Sequence, residues 1–186
     1  MKRILVAGST GAGKTTLARA LSAELAIPFH EMDALAIIGP DWQDNPTLHQ
    51  DVSRISGTDA WIIDSLGYPD VRDLLWSRAD GIVWLDYSRP VVMRRVLRRS
   101  AARTLLRRRV FGGNVETARS WFSADHPAWW AWAQHAGRRA DIARRCADPG
   151  FAPLDVVRLA SPRAARKWLA ATPGSAQPAV PSQPRS

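Results

Sequence analysis

Short apolar runs alternate along the chain with longer stretches in which apolar residues recur at helical spacing. The short runs predict strands that are buried on both faces, and the longer stretches predict helices. Such an alternation is typical of an α/β fold in which helices cover both faces of a parallel sheet. We therefore predict a three-layer domain around a five-stranded parallel sheet. The predicted strands cover residues 4–7, 27–30, 60–64, 81–86 and 154–159.

The predicted helices follow the strands in turn. In the first of them Leu17 and Leu21 share one apolar face, and Pro90 and Pro162 stand near the start of two others, where proline is tolerated. From Thr172 onwards the chain is rich in proline, serine, alanine and glutamine, which predicts a disordered tail. We expect one domain over residues 1–171, a tail over 172–186, and helices at 16–25, 46–55, 71–76, 90–108, 127–147 and 162–169.

The segment GSTGAGKT at residues 8–15 joins the first predicted strand to the first helix. It fits the pattern G-x-x-x-x-G-K-[ST] of a phosphate-binding loop. Glycines let the backbone approach phosphates, and the unpaired N–H groups at the start of a helix point at them. Lys14 is expected to contact the outer phosphates, and Thr15 to offer its hydroxyl to Mg²⁺. The sequence thus predicts a nucleoside triphosphate site formed by Gly8, Ser9, Thr10, Gly11, Ala12, Gly13, Lys14, Thr15 and Thr16.

Three acids follow predicted strands, at the edge of the sheet where open parallel sheets bind ligands. Asp33 follows the second strand, and we expect it either to bind an acceptor hydroxyl as a base or to cap a surface turn. Asp64 and Asp86 close the third and fourth strands. An acid in this position often supports a Mg²⁺ shell, and the alternative is a helix or turn cap. One such acid is enough, so we expect the other to be structural.

The segment from 89 to 109 contains nine arginines and no acid, and it supplies most of the net charge of +9. Arg95, Arg99, Arg103 and Arg107 fall at i, i+4 spacing and therefore share one helix stripe. The stripe is consistent with a phosphate clamp, with a solvated basic face, or with contacts to nucleic acid or lipid.

A glycine-bearing loop follows this helix, and a second long helix returns with two more arginines, Arg138 and Arg139. A helix, a glycine-bearing loop and a returning basic helix predict a lid, which we assign to about 107–120. Periodicity does not decide which of the two arginines faces inward. Among the nine tryptophans, Trp61 and Trp84 of the strands are expected to pack in the core. Core packing is also expected for Trp129, Trp130 and Trp132 of the returning helix, and the alternative is stacking on a flat substrate.

The number of cysteines and the length of the apolar runs indicate the cellular compartment of the protein. The one cysteine excludes an intrachain disulfide, which suits a reducing cytoplasm. No apolar run approaches the roughly 20 residues of a membrane helix. We therefore expect a cytoplasmic monomer without a membrane partner.

Several blocks in order resemble the adenylate-kinase-like branch of the P-loop kinases. Besides the phosphate loop, or Walker A motif, they are HEMDAL at 30–35, WIIDS at 61–65, and VWLD at 83–86 followed by the arginine-rich helix. Together with the Ser-Pro pair at 161–162, this set is most similar to the bacterial proteins known as DNA topology modulation proteins. The resemblance covers about residues 2–170 and implies the three-layer P-loop NTPase fold.

The resemblance implies binding of ATP with Mg²⁺ and transfer of a phosphoryl group to a small acceptor that is nucleotide- or nucleoside-like. By position, Asp33 lies at the acceptor site and Asp64 supports magnesium. Arg95 and Arg99 match the two arginines that hold phosphates at the entry to the lid, with Arg138 a further match. The chain departs from the pattern on the acceptor side, where Ser65 replaces a glycine and Ala36-Ile37 replaces an aromatic pair.

Two other functions remain compatible with the sequence. The first is an ATP-binding regulatory protein that contacts nucleic acid through the arginine stripe. The second is a simple ATPase that uses water as the acceptor.

Overall fold

The computed structural model describes residues 1–39, 43–66, 68–105, 127–151 and 154–172. Within these ranges the strands pair in parallel into one sheet. The strands are β1 (Arg3–Gly8), β2 (Phe29–His30), β3 (Trp61–Ile63), β4 (Gly81–Leu85) and β5 (Asp155–Leu159), in the spatial order β2-β3-β1-β4-β5.

Helices of the described ranges lie on both faces of this sheet, which gives the predicted three layers. Pro69 and Pro162 open two of the helices at positions where the missing N–H is not needed. The helices are α1 (Lys14–Leu25), α2 (Met32–Ala36), α3 (Leu48–Ser56), α4 (Pro69–Arg78), α5 (Arg89–Leu105), α6 (Pro127–Cys146) and α7 (Pro162–Ala171).

The core is divided between the two faces because side chains alternate along each strand. Val83 and Leu85 of β4 pack on the face that carries α1, α5 and α7. Ile82 and Trp84 of the same strand pack on the opposite face, with α3, α4 and part of α6. Ile142 of α6 belongs to this second cluster. The sheet therefore separates two apolar layers.

The strand order determines what surrounds the phosphate loop. The central strand β1 has β3 on one side and β4 on the other, and Gly8 at its end is paired with Leu85. Asp64 and Asp86 follow β3 and β4 directly. The two strand-end acids therefore lie on opposite sides of the loop that leaves β1.

The predicted fold class is confirmed, and the predicted strands and helices recur with ends that differ by at most a few residues. The short helix α2 was not predicted, so Asp33 lies in a helical first turn instead of a loop. The prediction that the tryptophans of the returning helix pack in the core is wrong for Trp129 and Trp132, which are 61% and 50% exposed. The lid at 107–120 and the tail from residue 173 lie outside the described residues, and the domain limits stay a prediction.

Across the ranges that the structure describes, every helix is too short or too polar to cross a bilayer.

Candidate functional site

The loop between β1 and α1 has the backbone shape that an anion site requires. Gly11 and Gly13 adopt φ angles of 82° and 95°, which side chains other than glycine rarely tolerate. A Cβ atom on Gly11 would lie 2.2 Å from Cγ2 of Val96, so α5 packs directly against the loop. The first turn of α1 has no capping side chain and no acid. Its N–H groups are therefore available to a phosphate.

Lys14 is the charged centre of the site. Its Nζ lies 3.5 Å from the carbonyl oxygen of Ser9, and its side chain is half-buried. Burial lowers the pKa of the ammonium group, and the positive charges of Arg138 and Arg99 act in the same direction. Asp33 and Asp64 lie close enough to oppose this shift. The ammonium group is thus charged at neutral pH only at a cost in solvation, which a bound anion would offset.

Asp64 joins the phosphate loop to the acceptor side. The Thr15 hydroxyl donates a hydrogen bond to one carboxylate oxygen of Asp64, and the Met32 N–H donates to the other at 3.1 Å. Burial raises the pKa of Asp64, although Thr15, Met32 and Lys14 act to lower it. A buried carboxylate beside a threonine hydroxyl is a set of hard oxygen donors, which suits Mg²⁺.

These two residues would leave most of a magnesium shell to nucleotide oxygens and water. In the part of the chain that the structure describes, no group of three or more His, Cys, Asp or Glu side chains could hold a metal by itself. Mg²⁺ usually binds proteins through one or two carboxylates and through substrate phosphates. The donor set therefore fits the group that the phosphate loop implies.

Asp33 lies in the first turn of α2 with its side chain exposed. The Tyr68 hydroxyl donates to its Oδ1 at 3.2 Å. Burial raises the pKa of this hydroxyl, and the negative charge of Asp33 raises it further. Arg138 lies near both groups, and burial is the main cause of its own lowered pKa. Sequence analysis missed Tyr68, because only the structure brings the start of α4 against α2.

The arginine stripe of α5 faces the phosphate loop at its first two positions. The Arg95 guanidinium lies 2.8 Å from the point that a Cβ on Gly13 would occupy, and Arg99 is close enough to lower the pKa of Lys14. Arg94 and Arg98 are exposed. The side chain of Arg103 and the whole of Arg107 lie outside the described residues.

Asp86, the other strand-end acid, is bound by two arginines. Arg139 binds its Oδ1 through Nε at 2.6 Å, and Arg158 of β5 binds its Oδ2 through Nη2 at 2.6 Å. Burial alone would raise the pKa of Asp86, but the two arginines outweigh it and leave the pKa lowered. The adjacent arginines of α6 are thus separated, with Arg138 near Asp33 and Arg139 on Asp86.

Comparisons with known proteins concern the region of the phosphate loop and the fold. The sequence profile of the ATPase family associated with various cellular activities (AAA) matches residues 4–67, which include the phosphate loop and Asp64. No curated protein sequence matches the chain.

Among solved structures the chain is similar to shikimate kinase from Acinetobacter baumannii in complex with shikimate. The identity is 16%, the match covers 91% of this chain and 89% of that chain, and the TM-score is 0.56. Two others are a gluconokinase from Sinorhizobium meliloti 1021 (18% identity, 91% of each chain, TM-score 0.46) and shikimate kinase from Aquifex aeolicus vf5 (15%, 90% and 94%, 0.49). At 16% identity, the first of these shows a shared fold.

The finer resemblance to the DNA topology modulation proteins stays a prediction, as do the roles of the individual site residues. The profile match concerns the region that contains the phosphate loop, and the structural similarity concerns the fold. Residues 4–67 are therefore similar to an ATPase profile, and the chain has the α/β fold of the P-loop kinases.

Proposed function

We propose that the protein is an ATP-dependent phosphotransferase that moves the γ-phosphoryl group of ATP to a hydroxyl group of a small molecule. The observation that carries this proposal is the convergence of charged groups on Lys14. Asp33, Asp64, Arg99 and Arg138 all act on the pKa of its ammonium group, although they come from four separate segments. A phosphate-binding loop thus faces a candidate base, a candidate metal ligand and two arginines, which is the set that phosphoryl transfer uses.

On the donor side, the backbone N–H groups of the loop bind the phosphates of ATP, and Lys14 contacts the outer ones. Arg95 and Arg99 stabilise the negative charge of the moving phosphoryl group. Thr15 and Asp64 would hold magnesium. When it is bound, Mg²⁺ supplies positive charge to the phosphate oxygens. Because phosphoryl transfer needs little covalent chemistry, these residues act by position and charge.

On the acceptor side, Asp33 accepts the proton of the attacking hydroxyl. The Tyr68 hydroxyl, whose pKa is raised, stays protonated and keeps the carboxylate oriented through its hydrogen bond. The Asp33 carboxylate can therefore act as the base toward this hydroxyl.

The charges around Asp33 favour an acceptor with a negatively charged group. Arg138 is near Asp33 and Tyr68, and Arg72 is near Arg138. Arg72 also forms an ion pair with Asp141 at 3.4 Å. The Arg138 guanidinium near the base suits a phosphate or a carboxylate on the acceptor. A nucleoside monophosphate meets this requirement, as does a hydroxy acid.

An acceptor panel tests the proposal. Nucleosides, nucleoside monophosphates, hydroxy acids and neutral sugars would each be incubated with ATP and magnesium, and ADP release would be compared with the phosphorylated product. We expect product with an anionic member of the panel and a loss of about 100-fold or more in Lys14→Ala. Phosphate release at the same rate without any acceptor would instead identify a simple ATPase. ATP binding without any turnover would contradict both.

Replacing Asp33 by Asn tests the acceptor side alone. We expect kcat to fall about 100-fold or more, because the base is lost, while calorimetry finds ATP affinity nearly unchanged. Tyr68→Phe is the matched control, since it removes the hydrogen bond to Asp33 and leaves the carboxylate in place. It should lower kcat less than Asp33→Asn does. A D33N enzyme that retains most of its kcat would show that Asp33 is not the base.

Nucleic-acid binding is the alternative to be tested separately. Arg95 and Arg99 lie beside the phosphate loop, which leaves Arg94 and Arg98 as exposed charges on α5. A gel-shift titration at low and at high salt measures this contact, because phosphate contacts weaken steeply with salt. Tight, salt-dependent binding together with an inactive acceptor panel would favour the regulatory function.

A further inference from the structure

A second cavity, of about 810 Å³, opens on the face of the sheet where α6 passes β4 and β5. Its floor is Trp84, and Ala136 and Ala140 of α6 form part of one wall. Three arginines also line the cavity: Arg89 at the start of α5, Arg139 of α6 and Arg158 of β5.

This cavity is separate from the phosphate loop. Residues 8–16 do not contribute to its lining. Trp84 belongs to the apolar cluster on one face of the sheet, whereas Leu17 and Leu21 of α1 belong to the cluster on the other face. A ligand in the cavity would therefore lie across the sheet from the helix that binds ATP in our proposal.

The guanidinium groups are held in place from one side. Arg139 and Arg158 both use Nε and Nη2 to bind Asp86, whose side chain is 3% exposed. The arginine side chains themselves stay 52% and 55% exposed. Their Nη1 groups are outside these contacts with Asp86 and can donate to a ligand.

Two of the three guanidinium groups lie over aromatic rings. Arg158 stacks on Trp84, with 4.8 Å from its Cζ to the ring centroid, and Arg89 stacks on Trp132 at 4.7 Å. Stacking covers a face of each guanidinium and leaves its N–H edges for hydrogen bonds. Asp86 balances only one of the three positive charges. The cavity lining and Asp86 together thus carry a surplus of two positive charges.

We propose that this cavity binds a phosphorylated small molecule through its phosphate group, which contacts Arg89, Arg139 and Arg158. Planar guanidinium groups match phosphate oxygens in pairs, which a flexible ammonium does not. The volume is in the range of small-molecule sites. The proposal is independent of the proposed kinase activity, because it uses none of the residues assigned to it.

Calorimetric titration with inorganic pyrophosphate tests the proposal. The titration uses full-length Lys14→Ala protein, in which the phosphate loop no longer competes. We expect this protein to retain pyrophosphate binding, and a further Arg89→Gln/Arg158→Gln change to weaken it about tenfold or more. Arg163→Gln on α7 is the control, since it removes an exposed arginine that does not line the cavity. It should leave the affinity nearly unchanged.

A second variant provides an independent test in case the Arg89→Gln/Arg158→Gln protein does not fold. Ala140→Glu adds a carboxylate to the cavity wall at an exposed helical position and removes no contact of Asp86. It should fold normally by circular dichroism and should also lose pyrophosphate binding. Organic phosphates such as a sugar phosphate would then be titrated to identify the class that binds most tightly. Failure of Lys14→Ala protein to bind pyrophosphate, or binding that survives Ala140→Glu, would overturn the proposal.

Discussion

At the scale of single residues, the buried carboxylate of Asp64 predicts a trade between stability and activity. Its pKa is raised by burial, so the folded protein takes up its proton more readily than the unfolded chain. Stability is therefore lost as the pH rises through the ordinary value of about 3.9 towards the folded-state pKa. At neutral pH the ionised carboxylate costs stability until a cation is bound.

We therefore expect Asp64→Asn to melt at the same or a higher temperature than the wild type without magnesium. The amide can still accept from Met32 and can pair with the Thr15 hydroxyl. Phosphoryl transfer should fall about 100-fold or more. Differential scanning calorimetry with and without MgATP measures both effects. A variant that melts several degrees lower without magnesium, or that keeps full activity, would contradict this account.

The sequence predicts which residues belong to the site, but it does not predict all of the contacts between them. Lys14, Thr15 and Asp64 were recognised from a local motif and from a strand end, and they do lie together. The contact between Thr15 and Asp64 depends on β3 lying beside β1, which is a property of the sheet order. Tyr68 carried no local signal. Arg138 and Arg139 are neighbours in the sequence, and only the docking of α6 determines which of them approaches Asp33.

At the scale of elements, the close packing of α5 on the phosphate loop predicts opposite effects for two glycines. Gly11 has a φ of 82°, and a Cβ there would lie 2.2 Å from Val96. Gly11→Ala should lower the free energy of unfolding by about 2 kcal/mol and weaken ATP binding. Gly137 of α6 has no atom within 4 Å of its added Cβ. Gly137→Ala should therefore stabilise the protein by about 0.5–1 kcal/mol.

Urea denaturation of the two variants measures this difference. Gly137→Ala is the matched control, because it makes the same chemical change in a helix that has room for it. Equal free energies of unfolding for the two variants would mean that Val96 moves aside and that the loop tolerates a side chain.

Most helices and strands could be predicted from the sequence. The helices are long enough for apolar residues to recur at helical spacing, and the strands are short apolar runs. The five-residue helix α2 was not, since it buries only Met32 and Ala36 and spans too few residues for a period to be recognised. The exposed Trp129 and Trp132 mark the limit of the rule that large apolar residues pack inside. Trp132 is in contact with Arg89 instead of the core.

At the scale of the whole molecule, Asp86 connects the end of β4 to α6 and to the edge strand β5. Its pKa is lowered, because the bonds from Arg139 and Arg158 outweigh the effect of burial. The stabilisation is therefore present above the ordinary pKa of about 3.9 and is lost as the pH falls through the folded-state value. Asp86→Asn should cost about 1–2 kcal/mol at neutral pH, since water solvates the half-exposed arginines.

The difference between the wild type and Asp86→Asn should shrink as the solution is acidified below about pH 4. Chemical denaturation of both proteins across this range provides the measurement. Arg144→Gln is a suitable control, because it removes an exposed ion pair with Asp141 elsewhere on α6. A pH-independent difference would mean that the carboxyl charge contributes nothing and that Asp86 acts by packing alone.

The edge strand β5 has one further consequence. Its sequence DVVRL places Asp155 and Arg158 within five residues, and only Leu159 at its end is buried. Docking another extended chain against this border would strip water from both charges, and that energetic barrier protects the protein from amyloid-like self-association.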